Sequence, residues 1–145
     1  MKHLVMEKTV PAPADEIYKK LTNFSSFEKH CNSVISVSVD SLSDNQAESS
    51  WRVYFHDGEM LWKEKDHFVP DEKKILFEQT EGDLDIFRGF WKVEETDSHQ
   101  SKVYFEAEFC LGIPTLDDIL NPIAEEAIKH NVNQMLHDLF MADDL

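Results

Sequence analysis

The stretch KVYFEAEFC, residues 102–110, alternates between two kinds of side chain, and a long helical pattern follows it. As a strand, it places four residues on a dry face: Val103, Phe105, Ala107 and Phe109. The opposite, wetter face carries Tyr104, Glu106, Glu108 and Cys110. After a turn at 112–114, apolar residues recur at helical spacing: Leu116, Leu120, Ile123, Ala127, Ile128, Val132, Met135 and Leu139. This unit predicts a half-buried strand followed by one long amphipathic helix.

The start of this helix carries two local signals. Thr115 with Asp118 three residues later resembles a capping box. Pro122 should either bend the helix or restart it at Asn121-Pro122. We expect the helix to end near Met141.

Further strand-like runs precede this unit. They cover residues 3–10, 34–39, 50–55, 60–69, 74–79 and 86–94, with turns at 11–13, 43–45, 56–58, 70–71, 81–83 and 96–98. In the second run, Ile35, Val37 and Val39 share one face and Val34 lies on the other. Two short helices are expected at 15–21 and 25–31, the second capped by Asn23 or Ser25. The order predicts an α+β fold: a curved, seven-stranded antiparallel sheet around a long C-terminal helix, with two short helices after the first strand, in one domain spanning 1–145.

Charge and cysteine usage exclude several kinds of partner. The chain of 145 residues has 29 acidic and 14 basic side chains, for a net charge of −15, which argues against nucleic acid and anionic membranes. Cys31 and Cys110 are too few for a disulfide framework or a zinc site, and the histidines lack metal-ligand spacing. No apolar run approaches the ~20 residues of a membrane span. We therefore expect a cytoplasmic protein without cofactor or metal, either a monomer or a homodimer.

One helix about 10 Å wide cannot fill the concave face of a strongly curved sheet. The remaining space must hold large side chains or a cavity. Seven aromatic residues can face it: Trp51, Trp62, Phe77, Phe87, Trp91, Phe105 and Phe109. They either pack against each other as core or surround a ligand.

Polar residues at inward positions favour a ligand cavity. If Trp62 points inward, strand periodicity sends Glu64 and Asp66 inward too. On the helix, Asn131 and Gln134 lie beside the apolar stripe. Unpaired polar groups in a dry core cost about 1–3 kcal/mol each. A phase shift of one residue would instead turn three basic side chains inward: Lys63, Lys65 and His67.

The whole chain resembles the START-like (SRPBCC) superfamily, and within it the single-domain polyketide aromatase/cyclases. The matching pieces are VPAPADEIY at 10–18, LW at 61–62 before FVPD at 68–71, EG at 81–82 before FRGFW at 87–91, FEAEF at 105–109, and NQM at 133–135. The resemblance implies a helix-grip fold that encloses a hydrophobic small molecule.

The resemblance also implies a set of pocket residues. The expected ligand-binding side chains are Phe27, Cys31, Trp51, Trp62, Phe68, Phe77, Phe87, Trp91, Phe105, Asn131 and Met135. Gln134 stands where the family often has an asparagine. The chain departs from the aromatase/cyclases at two positions: Phe68 replaces an arginine, and Val34 replaces a tyrosine. Arg88 is present, but strand periodicity is expected to point it outward. Glu64 and Asp66 are then the candidate acids or bases.

Two functions remain open at this point. The first is a cofactor-independent cyclase or dehydratase for a poly-β-carbonyl or aromatic precursor, with Glu64 or Asp66 as base and Gln134 as donor to a carbonyl oxygen. Repulsion between the carboxylates would raise the pKa of one, unless they simply reach solvent at the pocket mouth. The second is a non-catalytic binding or transfer protein for a lipid, quinone or pigment.

A partner protein is a separate question. An acyl carrier protein, itself acidic, would have to approach a surface of net charge −15 against repulsion. A basic patch near the pocket entrance could offset this, and its candidates are Lys19, Lys20 and Lys29.

Overall fold

The fold is a seven-stranded antiparallel sheet that curves around the C-terminal helix. The computed structural model describes residues 1–55, 58–97 and 99–141. In chain order the elements are β1 (Lys2–Val10), α1 (Ala14–Thr22), α2 (Ser25–His30), β2 (Val34–Ser43), β3 (Gln46–Phe55), β4 (Gly58–Val69), a helical turn (Pro70–Glu72), β5 (Lys74–Gly82), β6 (Ile86–Asp97), β7 (Gln100–Cys110) and α3 (Asp117–Phe140). The predicted order of elements and the fold class are confirmed.

The sheet is a meander closed at one end by the first strand. Its strand order is β1-β7-β6-β5-β4-β3-β2, with every neighbouring pair antiparallel. The alternation predicted for 102–110 is confirmed, because the four residues of the dry face are fully buried and those of the other face are half-buried. A sheet with one dry and one wet face can take a helix on the dry side only, which is where α3 lies.

Strand β2 departs from the predicted phase. Its pairing with β3 shifts between Val34 and Ser36, which is a β-bulge. The extra residue puts Val34 into the core while Val37 still packs against it, so these two do not lie on opposite faces. Val39 is exposed. The predicted faces of this strand are therefore wrong at Val34.

Helix α3 is continuous through Pro122. It neither restarts at Asn121 nor uses the predicted cap, because its first flanking residue is Leu116 and no side chain caps it. The predicted apolar stripe is buried only in its later part, which with Ala124 and Leu136 covers the sheet. Leu116 and Ile123, also placed on that stripe, are exposed.

Other predicted boundaries need small corrections. Helix α2 follows Phe24 without a side-chain cap, so neither Asn23 nor Ser25 caps it. Strand β5 runs to Gly82, so the turn predicted at 81–83 lies later. The turns predicted at 56–58 and 96–98 include His56, Asp57 and Ser98, which fall outside the described residues. Within the described part of the chain, no helix is long and apolar enough to cross a membrane.

Candidate functional site

An aromatic cavity lies between the concave face of the sheet and α3. The described residues that line it are Leu21, Phe24, Phe27, Trp51, Val53, Phe55, Met60, Trp62, Glu64, Ile75, Phe77, Phe87, Trp91, Phe105, Ile128, Asn131, Val132 and Met135. Strand alternation and the later half of α3 point these side chains to one place. Glu64 and Asn131 are its polar members.

The aromatic rings pack closely and leave little free space. Trp51 and Trp62 stack with ring centroids 5.9 Å apart, and Trp62 meets Phe87 edge-on at 5.6 Å. Trp91 and Phe105 approach to 4.6 Å. The resulting cavity is about 60 Å³. A cavity that holds benzene needs about 150 Å³, so a larger ligand can enter only if the lining side chains or α3 move.

The carboxyl groups of Glu64 and Asp66 are both buried on the concave side. Glu64 is 6% exposed and Asp66 is 2% exposed. Lys65 and His67 are exposed, so the strand phase deduced from Trp62 is confirmed and the alternative phase is excluded. The carboxylates do not reach open solvent at the pocket mouth.

A chain of hydrogen bonds connects this carboxyl pair to two tryptophans. Trp62 Nε1 donates to Glu64 Oε1 at 2.6 Å. Ser49 Oγ donates to Asp66 Oδ2 at 2.5 Å, and Trp51 Nε1 donates to Ser49 Oγ at 2.8 Å. Asp66 Oδ1 has no hydrogen-bond partner among the described side chains and backbone. Both indole N–H groups are thus used to hold carboxyl groups in the core.

Ser49 was missed by the sequence interpretation. It is 1% exposed and lies directly across from Glu64 in the β3–β4 ladder. Its inward position follows from the same period of two that places Trp51 and Val53 inward. The signal was present, but only the pairing register shows that its hydroxyl reaches Asp66.

The environment of this pair favours proton retention. Burial, followed by the neighbouring Asp66 carboxyl, raises the pKa of Glu64 well above its usual range. Burial also raises the pKa of Asp66, although hydrogen bonds from Glu64 and Ser49 act in the opposite direction. Two adjacent buried carboxylates cannot both ionise easily, so the environment favours a proton shared between them. A pair of this kind can accept a proton and return it.

Most of the predicted ligand-binding residues meet at the cavity, but four of the predicted site residues do not line it: Phe68, Cys31, Asp66 and Gln134. Phe68 packs against Phe24, with ring centroids 5.7 Å apart, outside the lining. Cys31 is buried with its Sγ 3.6 Å from the Met135 carbonyl. Burial raises the pKa of the Cys31 thiol to about 12, which disfavours the reactive thiolate form. Asp66 does not line the cavity, whereas Glu64, two residues earlier on the same face of β4, does.

Gln134 was predicted as a catalytic donor, and its position contradicts that role. It is half-buried on α3 and does not line the cavity. Its Nε2 donates to Asp138 Oδ1 at 3.0 Å, one helical turn away. The rotation of α3 that buries Met135 and Leu136 turns Gln134 away from the cavity. Asn131 is the amide that faces the cavity.

Asn131 also marks where the cavity meets the surface. It lines both the cavity and an outer groove of about 840 Å³, here called the mouth groove. The other residues of the mouth groove are Ser33, Tyr54, Pro122, Ile123, Glu126, Ala127 and His130. Asn131 Nδ2 donates to the Tyr54 carbonyl at 2.8 Å and so connects α3 to the end of β3. The contact therefore involves the residue that the cavity and the mouth groove share.

Lys20, one of the three residues of the predicted basic patch, lies near the end of α3 and not beside Asn131. Lys20 Nζ donates to the Leu139 carbonyl at 3.0 Å, near the C-terminal end of α3. Leu139 lies eight residues after Asn131, which is about two helical turns. Lys20 thus stabilises the end of α3.

Comparisons with known proteins agree on the fold. A crystal structure of a Thermus thermophilus protein is 20% identical, with a TM-score of 0.86 over 95% of this chain and 94% of that chain. The Zhui aromatase/cyclase from Streptomyces sp. R1128 is 15% identical, with a TM-score of 0.86 over 95% and 90%. A START superfamily protein from Mycobacterium smegmatis is 11% identical, with a TM-score of 0.79 over 94% and 96%. At such identities the likeness shows the fold.

The family is shown by the sequence itself. Comparison with functionally curated proteins gives no match. A family profile described as polyketide cyclase / dehydrase and lipid transport matches residues 10–136. Because this match spans most of the chain, the protein belongs to the polyketide cyclase/dehydrase and lipid transport family.

Proposed function

We propose that this protein binds a hydrophobic poly-β-carbonyl or aromatic precursor in the aromatic cavity and promotes its cyclisation or dehydration. The observation that carries the proposal is Glu64, a buried carboxyl group in the wall of an apolar cavity, whose pKa burial and the neighbouring Asp66 carboxyl raise. Such a pair weakens the core it sits in, because burying charge costs free energy. A raised carboxyl pKa in a ligand cavity is typical of acid–base catalysis.

The proposed chemistry is a proton transfer in two steps. Singly protonated, the pair accepts a second proton from the carbon between two carbonyl groups of the substrate. The carbanion then attacks a distant carbonyl carbon, and the pair returns the proton to the resulting alkoxide, which becomes a hydroxyl group. In the dehydration, the pair accepts the second proton of the same carbon and passes it to this hydroxyl, which leaves as water. Glu64 touches the substrate, and the shared proton moves to Asp66 as Glu64 accepts the proton of the substrate. No cofactor enters this scheme.

Ligand entry requires the cavity to open. Its volume of about 60 Å³ is far below the several hundred Å³ of ordinary small-molecule sites. The Asn131–Tyr54 hydrogen bond lies where the cavity meets the mouth groove. We propose that this bond opens to admit the ligand.

Deuterium exchange tests the base directly. A hydrophobic aryl diketone is incubated in D₂O with the protein, and loss of its central C–H signal is followed by NMR. Glu64→Gln should slow the catalysed exchange by about two orders of magnitude, as for removal of a general base. The matched control is Glu94→Gln, at an exposed carboxyl of β6. Unchanged exchange in both Glu64→Gln and Asp66→Asn would rule out this mechanism.

A second candidate function is the binding or transfer of a lipid, quinone or pigment. It is favoured by the lining, which apart from Glu64 and Asn131 consists of apolar and aromatic side chains. Extraction of the purified protein and mass spectrometry test it. A co-purifying prenyl or acyl lipid with no catalysed exchange would support transfer.

The charge of the chain bears on the form of the substrate. A net charge of −15 opposes an acidic carrier protein, and Lys20 is engaged by the end of α3. We propose that the substrate reaches the cavity as a released small molecule.

A further inference from the structure

The polarity of the carboxyl pair indicates which ligands the cavity accepts. Burial and the neighbouring Asp66 carboxyl raise the pKa of Glu64, which favours a proton shared between the two carboxyl groups. Asp66, 2% exposed, does not line the cavity, and its Oδ1 accepts no hydrogen bond from the described chain. Glu64 therefore presents lone pairs to the cavity, where a ligand meets a hydrogen-bond acceptor.

The charges around the cavity strengthen this polarity. No lysine, arginine or histidine occurs among the described residues that line it. The pair carries one negative charge when it holds one proton, and no described cation pairs with either carboxyl group. An anionic ligand would be buried beside this charge without compensation, which is strongly unfavourable. A ligand that donates a hydrogen bond gains a charge-assisted contact instead.

We propose that the cavity selects hydrophobic ligands that present an O–H or N–H donor to Glu64, and that it rejects ligands bearing a carboxylate. This inference rests on the proposed function, because it assumes that the ligand occupies the same cavity. Enolised dicarbonyl compounds, phenols and amines meet the requirement. Fatty-acid anions and free polyketide acids do not.

Four naphthalenes of closely similar shape test the proposal by calorimetric titration at neutral pH. They are β-naphthol as neutral donor, its methyl ether without donor, β-naphthoate as anion, and naphthylmethylamine as cationic donor. We expect β-naphthol to bind about tenfold tighter than its methyl ether, and β-naphthoate to bind weakest. The affinity of the amine relative to that of β-naphthol shows whether the cavity prefers a cationic or a neutral donor.

A charge-matched pair of variants shows whether the carboxyl pair causes the selection. Glu64→Gln/Asp66→Asn removes the two core carboxyl groups and leaves similar volumes. Glu94→Gln/Asp40→Asn makes the same two changes at exposed positions. The core variant should gain at least about tenfold in affinity for β-naphthoate relative to β-naphthol, and the surface variant should not. Far-ultraviolet circular dichroism confirms that both variants fold.

The outcomes distinguish a failure of this inference from a failure of the proposed function. Three results would overturn the donor selection and leave ligand binding intact. They are equal affinities for β-naphthol and its methyl ether, tight binding of β-naphthoate, and an equal gain in affinity for β-naphthoate in both variants. If none of the four binds, the cavity does not open and both proposals fail.

Discussion

Trp51 and Trp62 lie directly opposite each other on β3 and β4, with nearly parallel rings 5.9 Å apart. Their indole N–H groups point to different carboxyl groups, Trp62 to Glu64 and Trp51 through Ser49 to Asp66. One stacked pair thus forms part of the aromatic wall and also donates, directly or through Ser49, to the two buried carboxyl groups.

The Trp62 N–H should contribute to stability through Glu64. Trp62→Phe keeps an aromatic ring but leaves a buried acceptor without its donor, which costs about 1–3 kcal/mol. Trp91→Phe, in the same cavity, removes an indole that makes no side-chain hydrogen bond to a described residue. Urea unfolding should show a larger loss for Trp62→Phe. Equal losses would mean that the hydrogen bond contributes nothing.

Ser49 should stabilise the ionised form of Asp66. Ser49→Ala removes the donor to Asp66 Oδ2 and should lower the free energy of unfolding by about 1–3 kcal/mol. Ser50→Ala, at the half-buried neighbouring position, makes the same change away from the carboxyl pair. If Ser50→Ala is equally destabilising, the effect belongs to the strand and not to the carboxylate.

The carboxyl pair should make the protein less stable as pH rises. Because burial raises both pKa values above the ordinary 4.5 of Glu and 3.8 of Asp, the folded state holds more protons than the unfolded chain in the window above them. The stability from the pair is complete below those ordinary values and is lost as pH rises through the raised ones. Other carboxyl groups titrate in the same range, so the comparison must be between variants.

Urea unfolding across that pH range isolates the effect. The stability of Glu64→Gln/Asp66→Asn relative to the wild type should increase with rising pH, by about 1.4 kcal/mol for each tenfold difference in proton affinity between the folded and unfolded states. Glu94→Gln/Asp40→Asn should show no such trend. A pH-independent difference for the core variant would contradict the raised pKa values.

The Asn131–Tyr54 contact should control access to the cavity. Asn131→Ala removes the side-chain bond between α3 and β3 and should speed association of a hydrophobic fluorescent dye several-fold, as for a released gate. The control is Asn133→Ala, on an exposed side of α3 where the amide accepts a bond from Lys8. Stopped-flow mixing measures both rates. Equal association rates in the wild type and Asn131→Ala would place the entrance elsewhere.

The two cysteines should differ in reactivity. Cys31 is 3% exposed with its pKa raised to about 12, whereas Cys110 is only half-buried. A thiol reagent should therefore modify one cysteine rapidly in the folded protein and both in urea. Cys110→Ser should abolish the rapid phase, and Cys31→Ser should leave it intact. Rapid labelling of Cys31 would show that the contact with α3 opens readily.

Much of the fold follows from local periodicity. The alternation of β7 and the inward phase of Glu64 were predictable because a strand with one dry face tolerates no shift of one residue. The β-bulge at Val34 was not predictable, since it depends on how β2 pairs with β3. The prediction for Gln134 was wrong for a similar reason, because the rotation of α3 about its axis decides which amide faces the cavity.

The amino-acid sequence alone determined that a curved sheet would enclose one helix, with aromatic rings and two carboxyl groups between them, because strand and helix periods assign each side chain to a face. Only the tertiary structure decided how full the space is and which polar groups meet. Those outcomes depend on contacts between residues far apart in the chain, such as Ser49 with Asp66 and Asn131 with Tyr54. No local pattern encodes such contacts, because register and packing set them together.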